Sequence, residues 1–237
     1  MKNVKVILWG LGAMGGGIGK MLAKKTGVDI VGAIDIGDKI GKSLYEVVPG
    51  IVKGDREDVI VGTPEEVIKP GAADIVVVCT NSFTKDVYDK LVFVMEKGMN
   101  VITSAEEMAY PQAQEPELAK KLDEIAKKNG VSVMGTGINP GLIMDLLVVL
   151  WTAACEEVNH VTSRRVNSLS PFGPAVMEEQ GIGISVEEFN ERKANGTMAG
   201  HVGFAESTMM ICDALGWKWD DFGQDMEPIV TDVDRKS

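Results

Sequence analysis

The chain of 237 residues is long enough for one large domain or two unequal ones, and its 45% hydrophobic and 25% charged residues are typical of a folded globular protein. Its 24 basic and 35 acidic residues give a net charge of −11, which argues against a general attraction to nucleic acid or anionic membranes. No apolar stretch reaches the roughly 18 residues of a membrane-spanning helix, and the first residues have too short an apolar block for a signal peptide. We therefore expect a cytoplasmic protein with neither a nucleic-acid nor a membrane partner.

The cysteines and histidines do not form a metal-binding pattern. Cys79, Cys155 and Cys212 are 76 and 57 positions apart, which fits neither a disulfide framework nor a Cys-x-x-Cys site. The two histidines, His160 and His201, belong to no His-Glu-x-x-His motif. The sequence therefore predicts no metal site.

Six short β-rich runs alternate with helix-like segments in the first part of the chain. The runs are Val4–Trp9, Asp29–Ile34, Asp58–Val61, Asp74–Thr80, Asn100–Ser104 and Val131–Gly135. Continuous apolar stretches such as Ile75–Val78 are typical of strands covered on both faces, and the clearest helix is Pro116–Lys128. This alternation predicts an α/β fold, a Rossmann-type doubly wound parallel sheet.

The pattern changes after the segment Gly135–Gly141. An apolar helix is expected at about 142–154, a strand near 158–167, a Pro/Gly-rich loop at 168–183, and helices near 186–194 and 204–215. These elements lack the βαβ rhythm. We predict a dinucleotide-binding domain over residues 1–140, a second α+β substrate or dimerisation domain over 141–237, and a homodimer.

A dinucleotide fingerprint, Gly10-x-Gly12-x-x-Gly15, directly follows the first strand and opens a helix. The first glycine permits the tight turn, the second lets a pyrophosphate approach the backbone, and the third lets the helix pack closely on the strand. Free N–H groups at the helix start attract phosphates. The alternative is a glycine-rich turn without a ligand. The predicted coenzyme-binding residues of this loop are Gly10, Leu11, Gly12, Ala13, Met14 and Gly15.

Asp35 ends the second strand, 20 positions after Gly15. A carboxylate at this place accepts hydrogen bonds from the adenosine ribose, which favours NAD over NADP because a 2′-phosphate would meet a negative charge. Lys39 and Lys42 lie just beyond and could soften that preference, so NADP stays a second candidate. Alternatively, Asp35 only begins the turn that ends at Asp38.

The loops after the fourth, fifth and sixth strands should converge on the nicotinamide end of the coenzyme, because ligands of open α/β sheets bind beyond the carboxyl ends of the strands. The predicted coenzyme ligands in these loops are Thr80, Asn81, Ser82 and Asn139. In the loop after the fifth strand, Glu106 and Glu107 can accept protons or bind an amine, and Glu106 is the preferred catalytic residue, with Glu107 in reserve. A solvated acidic pair heading the next helix is the alternative.

Polar residues of the second domain complete the predicted site. Arg164–Asn167 offers a guanidinium for a substrate carboxylate, with an amide beside it, and His201 is a second polar contact.

Six segments together resemble the 2,4-diaminopentanoate dehydrogenase family, within the wider group that has a dihydrodipicolinate-reductase-like fold and includes native amine dehydrogenases. They are Leu8–Gly15, Ser82–Lys85, Ala105–Pro111, Gly135–Gly141, Arg165–Pro174 and Gly200–Phe204. The resemblance implies oxidative deamination of the C4 amine of 2,4-diaminopentanoate to 2-amino-4-oxopentanoate, with ammonia released and reduced coenzyme formed. It also implies that Glu106 handles the amine. The substrate-binding residues expected from it are Glu107, Pro140, Gly141, Arg165, Asn167 and His201.

Members of this family continue beyond the position of Ser237, so the chain is expected to be shortened at its C-terminus. Three alternatives stay open: an amine dehydrogenase acting on another substrate, a dihydrodipicolinate-reductase-like oxidoreductase, and a non-catalytic NAD-binding protein.

Overall fold

The computed structural model of the chain describes residues 2–168, 177–178, 180–198 and 200–230. In this part of the chain, six parallel strands form one sheet in the order β3-β2-β1-β4-β5-β6. The strands are β1 Val4–Trp9, β2 Val28–Ile34, β3 Val61–Gly62, β4 Ile75–Val78, β5 Asn100–Thr103 and β6 Val133–Gly135. This is the strand order of a Rossmann fold, so the predicted doubly wound α/β architecture is confirmed.

Five helices accompany the sheet: α1 Ala13–Leu22, α2 Leu44–Val47, α3 Pro64–Val67, α4 Thr84–Glu96 and α5 Pro116–Asn129. Three short 3₁₀ helices lie at Gly37–Lys39, Glu106–Ala109 and Pro111–Ala113. The α5 helix begins at Pro116, whose fixed φ suits a first helical position, and ends at Gly130, which adopts φ +65°. Both ends agree with the prediction to within one residue.

The side chains on the two faces of β1 pack in two separate hydrophobic cores, as expected for an interior strand of a doubly wound sheet. Val6 and Leu8 belong to one core, together with Leu44 of α2. Ile7 and Trp9 belong to the other, which also holds residues of α4 and α5. The sheet is therefore buried on both sides, which holds the carboxyl ends of its strands in fixed positions.

The second part of the described chain, which we call the second region (residues 141–230), contains helices α6 Leu146–Thr152, α7 Val186–Ala194 and α8 Phe204–Leu215. The predicted bounds of α7 and α8 are confirmed. The helix expected from 142 starts four residues later, because Asp145 accepts a hydrogen bond from the N–H of Leu146 (2.6 Å) and caps the helix there.

The prediction of a strand near 158–167 is wrong. Residues 156–168 form no strand, and the described residues of the second region contain only helices, turns and extended segments. A strand needs a neighbour to pair with its N–H and C=O groups. The described chain pairs no strand with this segment, and Val166 is 89% exposed.

Candidate active site

The crevice between the ends of β1 and β4 marks the point where the strand order reverses, which is where open α/β sheets bind ligands. The loops that follow these strands touch each other. The N–H of Cys79 donates to the carbonyl oxygen of Trp9 (2.7 Å), and a Cβ on Gly10 would overlap the carbonyl group of Cys79. This crowding explains why glycine stands at the end of β1.

Gly10 and Gly15 have the structural roles predicted for them, and the backbone at Gly12 is unobstructed. Gly10 adopts φ +94°, which only glycine tolerates easily. A Cβ on Gly15 would overlap the carbonyl oxygen of Gly10, so only a glycine lets α1 pack this closely against the loop. Gly12 caps α1, and nothing lies within 4 Å of where its Cβ would be. The backbone at Gly12 is thus open to an approaching ligand.

The start of α1 offers hydrogen-bond donors to that open space. The first N–H groups of a helix have no acceptor inside it, and in the described chain no other acceptor reaches those of Ala13, Met14 and Gly15. Ala13 and Met14 are exposed. This arrangement fits the pyrophosphate of a dinucleotide coenzyme. Leu11, in contrast, is buried, and its N–H already donates to Asp35 (2.7 Å), so this N–H is not available to a ligand.

Asp35 follows the last residue of β2 and anchors the glycine loop. Its Oδ2 accepts from the N–H of Leu11 (2.7 Å) and from Nζ of Lys39 (2.8 Å), and its Oδ1 accepts from the N–H of Ile36 (2.7 Å). Burial raises the pKa of this carboxyl, but the hydrogen bonds from Lys39, Ile36 and Leu11 outweigh burial and lower the pKa overall. Asp35 is therefore an ionised group in direct contact with the fingerprint loop.

The loops after β4, β5 and β6 meet at the same edge of the sheet, as predicted. The N–H of Glu107 donates to the carbonyl oxygen of Ser82 (3.1 Å), which joins the β4 and β5 loops. The N–H of Thr136 donates to Thr103 (3.0 Å), which joins the β6 loop to β5. Thr80 and Asn81 are exposed, and the Asn81 side chain accepts from Nζ of Lys90 (3.1 Å).

Glu106 and Glu107 are neighbours in the chain but have different surroundings. The Glu107 side chain is 7% exposed, and its Oε2 accepts from the N–H of Thr84, the first residue of α4 (2.7 Å). Glu106 is half-buried, and its carboxylate has no hydrogen bond or ion pair with any described residue. Glu107 is thus engaged in the structure, whereas Glu106 is free to meet a ligand.

The described contacts of Glu107, which was expected to bind substrate, are with other residues of the protein. Besides Thr84, its Oε1 lies 3.4 Å from Nε2 of Gln114, which also donates to Oε1 of Glu206 (2.7 Å). Glu206 lies on α8, is fully buried, and has no described partner for its Oε2. Burial and the nearby charge of Glu107 raise the pKa of Glu206, and the bond from Gln114 only partly offsets them. Sequence analysis missed this network because its members are distant in the chain.

Asn139 and His201 come together although 62 positions separate them. Nδ2 of Asn139 and Nε2 of His201 are 2.8 Å apart. Burial and the positive charge of Arg165 lower the pKa of His201, so the imidazole is neutral at neutral pH. Its Nε2 then accepts from Asn139, and its proton lies on Nδ1. Oδ1 of Asn139 is buried without a partner among the described residues, so it is an acceptor that a bound ligand can satisfy.

Arg165 and Asn167, the remaining substrate residues, are both exposed. Arg165 is close enough to His201 to affect its pKa. The one hydrogen bond described for the Asn167 side chain goes to the carbonyl oxygen of Ser168 (3.5 Å), and no described hydrogen bond joins Asn167 to Asn139 or His201. Residues 169–176 of the predicted loop lie outside the described residues.

Asp145 joins the second region to the β6 loop, a role that sequence analysis missed. It is fully buried, and its Oδ2 accepts from the N–H of Gly141 (2.7 Å) and from Oγ of Ser207 on α8 (2.8 Å). Pro140 is buried, and a Cβ on Gly203 would overlap its ring. Pro140 is therefore packed against the start of α8, and Gly141 is linked to α8 through Asp145.

A cavity of about 440 Å³ lies in the second region beside His201. Its wall includes Phe204, whose ring centroid is 4.5 Å from that of His201, and Gln224, which donates to the carbonyl oxygen of His201 (3.1 Å). The cavity is lined neither by the glycine loop nor by Glu106. It is thus separate from the proposed coenzyme crevice.

In the described ranges, no group of three or more His, Cys, Asp or Glu residues is arranged to hold a metal ion. None of the helices described is both long and apolar enough to cross a membrane.

A curated relative matches this chain over its whole length. Residues 142–237 match the family model described as the 2,4-diaminopentanoate dehydrogenase C-terminal domain. The chain is 66% identical over 238 residues to 2,4-diaminopentanoate dehydrogenase from Acetoanaerobium sticklandii, and the match covers 100% of this chain and 67% of the relative. The chain therefore spans about two thirds of the length of the relative.

Comparison with solved structures confirms the fold. Amine dehydrogenase from Mycobacterium smegmatis is 28% identical with a TM-score of 0.67, and the match covers 90% of this chain and 61% of that one. GenD2 from gentamicin A biosynthesis, solved in complex with NAD, is 19% identical with a TM-score of 0.47, over 66% of this chain and 40% of that one. The second similarity is too low to bear on the site.

Proposed function

Because the chain belongs to the 2,4-diaminopentanoate dehydrogenase family, we propose that it catalyses the NAD(P)-dependent oxidative deamination of 2,4-diaminopentanoate at C4, which yields 2-amino-4-oxopentanoate and ammonia. The observation that carries the proposal is the difference between two adjacent acids. Glu107 is engaged by the protein, and Glu106 is held beside it without a described protein partner. A carboxylate available to a ligand at the carboxyl end of β5 is what amine chemistry at this edge of the sheet requires.

The residues that would hold the coenzyme follow from their donors and acceptors. The N–H groups at the start of α1, next to the open backbone of Gly12, would bind the pyrophosphate. Asp35 would accept from the adenosine ribose, and Oδ1 of Asn139 is an unused acceptor near the nicotinamide end. When bound, the nicotinamide supplies the hydride acceptor for the substrate carbon. NAD is the first candidate and NADP the second.

Glu106 would handle charge and protons at the amine. The amine must be uncharged for its carbon to lose a hydride, and the Glu106 carboxylate is suited to accept the proton of a substrate ammonium group. Glu106 would pass this proton to solvent, and the restored carboxylate would stabilise the positively charged iminium that hydride loss leaves on the substrate. It would then take a proton from the water that adds to C4, give that proton to the departing nitrogen, and accept the proton of the new hydroxyl group as ammonia leaves and the ketone forms.

The other end of a diamino acid carries a carboxylate, and the guanidinium of Arg165 is the cation of the site that would bind it. Arg165 lies close enough to His201 to lower the pKa of the imidazole, and the neutral imidazole is an uncharged polar group that can contact the same substrate. We therefore propose Arg165 and His201 as substrate-facing residues.

A second candidate is an amine dehydrogenase that acts on an amine without a carboxylate. It is favoured by the exposure of Arg165 and Asn167, which gives the described site no enclosed carboxylate pocket. The two-domain division at residue 140, the homodimer and the cytoplasmic location also remain proposals.

The substitution Glu106→Gln tests the proposed chemistry. We expect turnover of 2,4-diaminopentanoate to fall by about 10²–10⁴-fold, the usual contribution of a general acid–base, while calorimetry shows unchanged NAD binding. Glu124→Gln, an exposed acid on α5, is the matched control and should keep full activity. Unchanged turnover in Glu106→Gln would refute the proposed role, and faster turnover of simple alkyl amines than of the diamino acid would favour the second candidate.

A further inference from the structure

The Asp35–Lys39 pair adds a feature to the coenzyme site that the simple rule for NAD selection leaves out. That rule treats the acid at the end of the second strand as a free carboxylate, which accepts a hydrogen bond from a ribose hydroxyl and repels a phosphate. Here the acid is paired with a lysine four residues later. We infer that Lys39 is the specificity-determining residue that makes this chain accept NADP as well as NAD.

The hydrogen bonds of Asp35 limit what it can offer to a ribose. A carboxylate has about four acceptor positions, and three are occupied by Leu11 N–H, Ile36 N–H and Lys39 Nζ. One position is left, on Oδ1. Asp35 can therefore accept one ribose hydroxyl without change, and a second only if a donor leaves. Lys39 is the donor that can leave, because the other two are backbone groups fixed by the loop and by the end of β2.

The charge of the pair changes how a 2′-phosphate is received. The Lys39 ammonium lies 2.8 Å from Oδ2, so the site presents a neutralised pair rather than a lone negative charge. The side chain of Asp35 is 11% exposed, which means that solvent does little to screen an unpaired charge there. Without Lys39, a phosphate would meet an uncompensated carboxylate.

Lys39 also has the freedom to turn toward a phosphate. It lies at the end of the 3₁₀ helix Gly37–Lys39, on a flexible four-carbon stem, and about a third of its side chain is exposed. With NAD, the ammonium stays on Asp35 and the free position of Oδ1 takes a hydroxyl. With NADP, the ammonium moves to the phosphate, and Asp35 remains held by its two backbone donors.

A neighbouring pair provides a matched control. Lys42 and Asp38 are also four residues apart in the chain, and they form an ion pair of 3.2 Å. Both side chains are at least half exposed, and neither bonds to the glycine loop. Screening by solvent makes such a pair weak. If general positive charge in this segment were enough, Lys42 would matter as much as Lys39.

The inference rests on the proposed function only in requiring that the coenzyme bind at the glycine loop, and it is tested by binding alone. Calorimetric titration of the wild type and of Lys39→Met and Lys42→Met with NAD and with NADP, without substrate, gives the ratio of the two dissociation constants. We expect Lys39→Met to weaken NADP binding at least tenfold and to change NAD binding less than threefold, while Lys42→Met changes both less than threefold.

A ratio that moves less than threefold in Lys39→Met, or that moves equally in Lys42→Met, would overturn the inference. Asp35→Asn provides a second test that leaves Lys39 in place. In this variant the dissociation constant of NADP, divided by that of NAD, should fall at least threefold. Failure of the wild type to bind either coenzyme would defeat this inference and the coenzyme part of the proposed function together. Binding as expected without turnover would defeat the proposed function alone.

Discussion

The two regions of the molecule bury their apolar residues very differently. In the region that carries the sheet, α4 places Val87, Leu91 and Val94 in the core with no exposed surface. In the second region, α6 has the still more apolar sequence Leu146–Thr152, yet none of its residues is buried, and Trp151 is 73% exposed. The comparison teaches that an apolar sequence predicts a helix better than it predicts what covers the helix, because the cover comes from other parts of a molecule.

The same contrast applies to how each region contributes to the site. The first region holds Glu106 and the glycine loop on a sheet that is packed on both faces. The second region is joined to it by polar contacts, which include Asn139 to His201 and Gln114 to Glu206. The site is thus built from a half that is packed on both faces of a sheet and a half that part-buried hydrogen bonds join to it.

The largest expected effect compares the same truncation in the two regions. Leu91→Ala removes a fully buried side chain and should lower the free energy of unfolding by about 2–5 kcal/mol. Leu150→Ala removes a side chain that is 60% exposed and should change it by no more than about 0.5 kcal/mol. Urea unfolding of this 237-residue chain measures both.

A loss in Leu150→Ala as large as that in Leu91→Ala would break the comparison. It would mean that α6 is covered in solution, and unfolding at several protein concentrations would show whether a second copy provides the cover.

The next effect tests whether the close packing of the first region extends to the coenzyme loop. Gly15→Ala places a Cβ against the carbonyl oxygen of Gly10 and should cost about 1–3 kcal/mol of stability. NAD binding should weaken as well, because the loop must shift. Gly17→Ala, two residues along α1, meets nothing within 4 Å and should stabilise the helix by up to about 1 kcal/mol. Thermal unfolding and calorimetric titration of the two variants separate these outcomes, and equal behaviour would contradict the predicted role of Gly15.

The smallest effect tests the junction between the regions through its pH dependence. The folded pKa of Glu206 is raised above its ordinary value of 4.5, so between the two values the folded state binds a proton that the unfolded state has lost. Stability therefore falls as pH rises from about 4.5 through the folded pKa, and levels off above it. Glu206→Gln removes this fall, so its stability relative to wild type should increase over that interval. Urea unfolding at several pH values, with Glu124→Gln as control, measures the difference; parallel curves for the wild type and Glu206→Gln would contradict the raised pKa.

Much of the fold could be predicted from the sequence because local rules determine it. Strand β1 and the glycine fingerprint follow from an apolar run next to Gly10, and the bounds of α5 follow from Pro116 and Gly130. Even Asp35 was identifiable by its spacing from Gly15. Each of these features depends on residues close together in the chain.

The parts that could not be predicted depend on contacts between distant residues. The surroundings of Glu106 and Glu107 differ because Glu107 accepts from the N–H of Thr84, 23 positions away. Glu206 and Asp145 are isolated acids in apolar helical segments, and no local pattern shows that they bond to Gln114 and Ser207. The absent strand at 158–167 has the same cause, because alternation indicates a suitable strand but not a partner for it.

The bond from Thr84 to Glu107 affects how mutants of this site should be interpreted. It joins the start of α4 to the 3₁₀ helix Glu106–Ala109, so the loss of the Glu107 side chain loosens the segment that carries Glu106. A scan scored only by the rate of product formation would find both acids essential and would suggest a two-carboxylate mechanism. Measuring the melting temperature of each variant beside its rate would distinguish the residue that performs chemistry from the one that keeps it in place.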